Sequence, residues 1–127
     1  MNRLTVVGVK GLENNERFGK IDPYAYVKCE GRTAKSRVDR DTLNPVWNFS
    51  VVFHRRDTSK PIKVQVWNHN VVVDSFLGQC FLIAAPDGSE EPRLETMTLV
   101  GRKTKRTEVV PGEIKVYVET HEDLMRI

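Results

Sequence analysis

Cysteine is scarce in this sequence. Cys29 and Cys80 are too few for a disulfide framework and read as reduced thiols of a cytosolic protein. Long apolar runs are missing too, none approaching the roughly 18 residues that a membrane-spanning helix needs. Met1-Asn2-Arg3 lead straight into a strand-like segment, without the apolar core of a signal peptide. Charge of one sign is also lacking. With 20 Lys and Arg against 17 Asp and Glu, the net +3 has no cationic blocks of the kind a bulk nucleic-acid binder carries, and no nucleic acid is expected as partner. His54, His69 and His121 are scattered, and neither a Gly-x-Ser-x-Gly elbow nor a phosphate-cradling glycine loop is present. Cys29 and His54 make a poor nucleophile pair because Cys29 falls within a strand pattern. The chain is therefore not expected to be an enzyme.

What is present suits one packed domain. The length of 127 residues fits a single unit, and 39% hydrophobic residues supply a core. The hydrophobic period is two. Leu4 to Val9, Tyr24 to Cys29, Thr33 to Val38, Asn48 to Phe53, Ile62 to Trp67, Gln79 to Ala84, Glu95 to Leu99 and Ile114 to Glu119 read as strands with one buried and one wet face. Turn signals separate them at Gly19, Asp22-Pro23, Gly31, Asn44-Pro45, Asp57 to Pro61, Pro86-Asp87-Gly88 and Pro111-Gly112. The pattern predicts an all-β fold, an eight-stranded antiparallel β-sandwich over residues 1–127. Its core spans Leu4 to Glu119, with loosely tied ends at Met1 to Arg3 and Thr120 to Ile127, and a helical turn is conceivable at Glu122 to Met125. Trp47 and Trp67 are expected as core or near-core anchors.

Four segments are more specific: Phe18-Gly19-Lys20-Ile21-Asp22-Pro23-Tyr24, Thr42-Leu43-Asn44-Pro45-Val46-Trp47-Asn48, Val64-Gln65-Val66-Trp67-Asn68 and Ser75-Phe76-Leu77-Gly78. In this order and spacing the chain resembles the C2 domain along nearly its whole length. The strand Ile114 to Val118 follows the others, which resembles the second C2 topology, with the extra strand at the C-terminus. His54-Arg55-Arg56, Pro61 to Asn68 and Asp74 to Gln79 further resemble the C2 domain that ends the atypical calpains of types five and six. The resemblance implies a non-catalytic regulatory module of a larger calpain-like cysteine protease, whose core would lie outside these residues.

Calcium-binding C2 domains gather about five carboxylates in loops at one end, because Ca²⁺ takes six to eight oxygens and the acids neutralise its charge. Carried over residue by residue, the resemblance offers Glu16, Asp22, Asn68, Asn70 and Asp74. Two of these are amides, and Ser75 stands where an acid is usual. The expectation is weak Ca²⁺ binding or none, with no cofactor required. His69, alone between two asparagines, is poor evidence for a transition-metal site.

Two features point to an anionic membrane lipid, phosphatidylserine or a phosphoinositide. Lys28, Lys35, Arg37 and Arg40 fall on the hairpin where the family carries a cationic headgroup groove, although Tyr26 stands where a basic residue is common. Val71-Val72-Val73, with Phe18 on the first loop, would make an apolar prong for the bilayer. Arg102 to Arg106 reads as a solvated basic loop, and Asn48-Phe49-Ser50 has glycosylation spacing but lies on a strand. The resulting expectation is a cytoplasmic, monomeric, peripherally membrane-bound module. The alternatives are a docking domain for a protease core in the same parent chain, and a low-affinity Ca²⁺ sensor.

Overall fold

The computed structural model describes residues 2–14, 16, 18–56, 59–82, 92–102 and 107–120, excluding the side chains of 102, 107 and 108. Eight strands form in chain order: β1 (Asn2–Lys10), β2 (Pro23–Cys29), β3 (Arg32–Lys35), β4 (Val46–Phe53), β5 (Ile62–Asn68), β6 (Ser75–Leu82), β7 (Arg93–Arg102) and β8 (Thr107–Thr120). All pairings are antiparallel, in the order β3-β2-β5-β6-β7-β8-β1-β4. The β6–β7 junction is one residue pair, Gln79 with Val100, so the array folds there into two four-stranded layers. The last strand, β8, lies between β7 and β1.

Period-two patterning builds the core. Ala25, Val27 and Cys29 of β2, Val64 and Val66 of β5, and Cys80 and Leu82 of β6 face Leu4 and Val6 of β1 and Ile114, Val116 and Val118 of β8. Trp47 joins the layers, its indole N–H donating to the Pro23 carbonyl at 3.2 Å. Burial pushes both thiols up, Cys80 to about 12, so neither is a ready nucleophile at neutral pH.

Several boundaries differ from the sequence expectation for local reasons. β1 begins at Asn2, and Thr120 pairs with it, both buried, so Asn2, Arg3 and Thr120 belong to the sheet rather than to loose ends. Pro111-Gly112 is no turn but lies inside β8. Gly112 has φ 130° there, beside a register irregularity in β7, and a Cβ would meet Leu99 Cδ1 at 2.8 Å. β3 stops at Lys35, after which Ser36 and Asp39 still donate to the Ala25 and Pro23 carbonyls. β6 starts at Ser75, four residues before the expected Gln79. Trp67 sits half-buried on the outer face of its layer, edge-on to Phe76. The Pro86-Asp87-Gly88 turn, residues 103–106 of the basic run and residues 121–127 of the tail lie outside the described residues.

Candidate functional site: the loop end and the outer face

Three connections converge at one end of the sandwich: residues 11–22 between β1 and β2 (loop 1), residues 36–45 between β3 and β4 (loop 2), and residues 69–74 between β5 and β6 (loop 3). Loop 3 is tied to loop 1 through its backbone, the His69 amide donating to the Asp22 carbonyl at 2.9 Å. Loop 2 is tied the same way, from Thr42 N–H to the Ile21 carbonyl.

The five residues carried over as metal candidates are brought together, but as partners of one another. Asn68, buried at the end of β5, sits at the centre. Its Oδ1 accepts from the Asp22 amide at 2.9 Å. Its Nδ2 donates to Glu16 Oε1 at 2.6 Å and reaches Asn70 Oδ1 at 3.5 Å. The amide thus places a donor between two oxygens at a point where a cation would supply positive charge.

The remaining carboxylates point elsewhere. Asp22 Oδ1 accepts from the Asp41 amide at 2.8 Å, and Asp41 Oδ1 in turn accepts from the Lys20 amide at 2.9 Å. Asp74 Oδ2 accepts the Tyr24 hydroxyl at 2.6 Å, and its Oδ1 accepts the Asn70 amide at 3.0 Å with His69 Nδ1 at 3.4 Å. Sequence reasoning missed Asp41 and the Tyr24–Asp74 bond. The signal for Asp41 was a turn-forming acid just before Thr-Leu-Asn-Pro. No local pattern signals a partner 50 positions away.

These bonds set the titration of the end. The Tyr24 hydroxyl bond and the Asn70 amide hold the Asp74 carboxyl below its ordinary value, and burial with the Asp74 carboxylate raises the Tyr24 phenol. A carboxyl lowered on folding stabilises the native state above its unfolded pKa, about 4, and that contribution disappears as pH falls through the lower folded value. Thermal melts of the parent and of Tyr24→Phe are therefore expected to differ most above about pH 5, the difference shrinking as pH falls below the ordinary carboxylate value of about 4. A constant difference across that range would remove Asp74 as the titrating partner.

The loop tips are apolar. Phe18 is 84% exposed, Val71 fully, Val72 90% and Val73 72%. The Asn68–Glu16 bond ties loop 1 to the end of β5, where loop 3 begins, and the His69 amide bond to Asp22 joins the two loops directly, so the tips project from one end.

The headgroup candidates are only partly brought together. Register places Lys35 opposite Tyr26 and Lys28 opposite Thr33, on the outer face that also carries Tyr24, Gln65 and Trp67. Lys35 Nζ lies 5.2 Å from the Tyr24 ring centre and Lys28 Nζ 5.1 Å from that of Tyr26. Both ammonium groups therefore rest beside aromatic rings on this face. Gln65 and Gln79 pair beneath, and the Trp67 indole donates to Gln65. Arg37 leaves this row, donating to the Val46 carbonyl at 2.8 Å and lying 3.8 Å from Asp39. Arg40 is exposed within loop 2, beyond the sheet. The irregular path after Lys35 carries both arginines away from the face.

A two-layer antiparallel sandwich with three bonded loops at one end defines a C2 module. The family model of the C2 domain matches residues 2–99, and the chain belongs to that family, a non-catalytic fold. Among curated relatives it is similar to Calpain-5 of Mus musculus, 38% identical over 113 residues, covering 89% of this chain and 17% of that protein. It is also similar to Extended synaptotagmin-1 of Homo sapiens, 38% identical over 87 residues, covering 61% of this chain and 8% of that protein. The chain thus spans less than a fifth of the relatives it matches. Among solved structures, a single C2 domain of plant Extended Synaptotagmin 1 superimposes with TM-score 0.77 at 24% identity, covering 92% of this chain and 90% of that one. A calcium-bound structure of the paired C2 domains of Extended-Synaptotagmin 2 gives 0.74 at 20% identity, covering 93% and 44%.

C2 domains commonly bind Ca²⁺. This chain's residues do not fit that ion as arranged. The central position holds a hydrogen-bond donor, two of the five candidates are neutral amides, and Asp22 and Asp74 are engaged by backbone amides and a phenol. Among the described residues no three of His, Cys, Asp and Glu gather as a metal-binding group. Among them, too, no helix is long and apolar enough to cross a membrane.

Proposed function

We propose that this chain is a regulatory, membrane-targeting C2 module that binds anionic phospholipid from the cytoplasmic side without requiring Ca²⁺. It would serve a larger calpain-like protein. The observation that carries the reading is the loop end, where exposed Phe18 and Val71 to Val73 stand on loops cross-linked by Asn68 rather than by clustered carboxylates. Such loops have their shape before any ion arrives. Their tips supply apolar area, and Lys28 and Lys35 supply charge on the adjoining face.

Each cation near an anionic surface contributes about 1 kcal/mol, and salt weakens it. Lys35→Glu reverses one charge and is expected to lower affinity for phosphatidylserine-containing vesicles by roughly 10- to 30-fold at low ionic strength, with the gap narrowing as salt rises. Co-sedimentation across a salt series measures this. An unchanged Lys35→Glu would remove the face from the site, and failure of the parent to sediment at any salt would favour docking onto a protease core.

A further inference from the structure

The eight strands leave two edges, β3 and β4, because β6 and β7 meet at the junction where the layers part. The two edges are built differently. β3 is four residues long and has Arg32 and Lys35 at its ends, the short, charged form that discourages pairing with another strand. β4 is twice as long and reads Val46-Trp47-Asn48-Phe49-Ser50-Val51-Val52-Phe53, without a charge, a proline or a glycine.

Only the start of β4 is protected. Loop 2 takes both backbone groups of Val46: Asp39 Oδ2 accepts from its amide at 2.9 Å, and Arg37 Nη2 donates to its carbonyl at 2.8 Å. A bulge follows between the pairs Val46–Gly8 and Phe49–Val6, with Asn48 at φ 47°. From Phe49 to Phe53 the strand then pairs with β1 in regular register. Among the described residues, nothing outside that ladder hydrogen-bonds to the backbone of these five. An antiparallel strand turns half of its N–H and C=O groups to each side, so the open side offers a row of them to a further strand.

The order of the side chains selects which strand fits. Phe49, Val51 and Phe53 pack on the core, while Ser50 and Val52 face outward, Val52 37% exposed. Reversing the segment preserves this order of large, small and apolar groups. A second copy laid antiparallel and centred on Val51 sets Phe49 against Phe53 of the other copy, Val51 against itself, and Ser50 against Val52. Core-side residues then meet core-side residues, two aromatic pairs form, and no charges oppose. A two-fold contact demands this self-complementarity, since each residue must meet its partner twice, once from each copy.

We propose that β4 binds a second copy of this chain, antiparallel through Phe49–Phe53, in place of the monomer expected from the sequence. The pairing joins two four-stranded layers into one continuous sheet. β4 starts at the loop end and runs away from it, so antiparallel copies set their loop ends at opposite poles. With the loop reading above, on which this consequence alone rests, one pair would hold two bilayers.

Sedimentation equilibrium of the chain as it stands, from micromolar to millimolar concentration, tests the pairing without lipid. The mass is expected to rise toward twice that of the single chain. Ser50→Lys/Val52→Lys sets two like-charge pairs directly across the seam and is expected to weaken association at least 10-fold. Ser50→Lys/Val52→Glu sets opposite charges at the same two places and is expected to keep association within about threefold of the parent or tighten it. Thermal melts at micromolar concentration check that both variants are folded. A parent of single-chain mass at millimolar concentration would overturn the proposal and leave the edge to a strand of another chain. Equal association of the parent and Ser50→Lys/Val52→Lys would also overturn it, as would equal loss in the two folded variants. Turbidity of phosphatidylserine vesicles reads the consequence: the parent is expected to cluster them, and Ser50→Lys/Val52→Lys to bind them without clustering. Failure of the parent to bind vesicles would sink the loop reading and leave the sedimentation result standing.

Discussion

Replacing Val71 and Val72 together by aspartate is expected to cut affinity for anionic vesicles by at least 100-fold, with no loss of thermal stability. Both side chains are almost wholly exposed, so the folded chain gives up no burial when they change. On a bilayer the same side chains are the apolar area that leaves water. Full burial of a valine contributes about 1.5–3 kcal/mol, and partial entry at the headgroup boundary somewhat less. Each aspartate also adds about 1 kcal/mol of repulsion from an anionic surface. The sum comes to about 3–5 kcal/mol, roughly two to three and a half decades in affinity. Equilibrium vesicle binding alongside a thermal melt measures both sides. A variant that binds as the parent does would mean that the valines stay in water and the charged face alone makes the contact.

The second large effect is expected at Asn68. Asn68→Asp keeps the acceptor for the Asp22 amide but replaces the donor 2.6 Å from Glu16 with a like charge. The loss of a charge-assisted hydrogen bond contributes about 1.5–3 kcal/mol, and the new repulsion at this partly exposed site adds about 1 after solvent screening. The melting temperature in EGTA is expected to fall by about 10–16 °C, at roughly 4 °C per kcal/mol for a chain of this size. Millimolar Ca²⁺ should restore part of the loss in the variant. The variant gains the charge that the ion needs, and a ligand present at about 100 times its Kd stabilises by about 2.7 kcal/mol. The parent should melt at one temperature in both buffers. An Asn68→Asp variant as stable as the parent in EGTA would mean that the amide does not bridge the loops.

The fold was legible because its determinants are local. Alternation in Ile62-Lys63-Val64-Gln65-Val66 sets faces, and Asn44-Pro45 and Gly31 mark turns. Where local chemistry serves two ends, the reading slipped. Pro111-Gly112 looks like a turn but forms an irregularity inside β8, because Gly112 must clear Leu99. Asn2 and Thr120 look like fraying ends but close the sheet on each other. The candidate ligands were found as a set, yet their meaning was hidden. Whether Asn68 awaits an ion or replaces one depends on Glu16, 52 positions away, and on which way its amide faces. Arg37 shows the same limit. Alternation puts it beside Lys35, but the chain leaves the sheet after Lys35 and turns it toward Val46.

The central claim is that the loop end is complete without an ion. Binding to vesicles rich in phosphatidylserine, in EGTA and again in millimolar Ca²⁺, tests it most directly. The account predicts clear binding in EGTA, with affinities in the two buffers agreeing within about twofold. Binding that appears only with Ca²⁺ would contradict it, because Glu16, Asp22 and Asp74 would then leave their present partners to hold the ion.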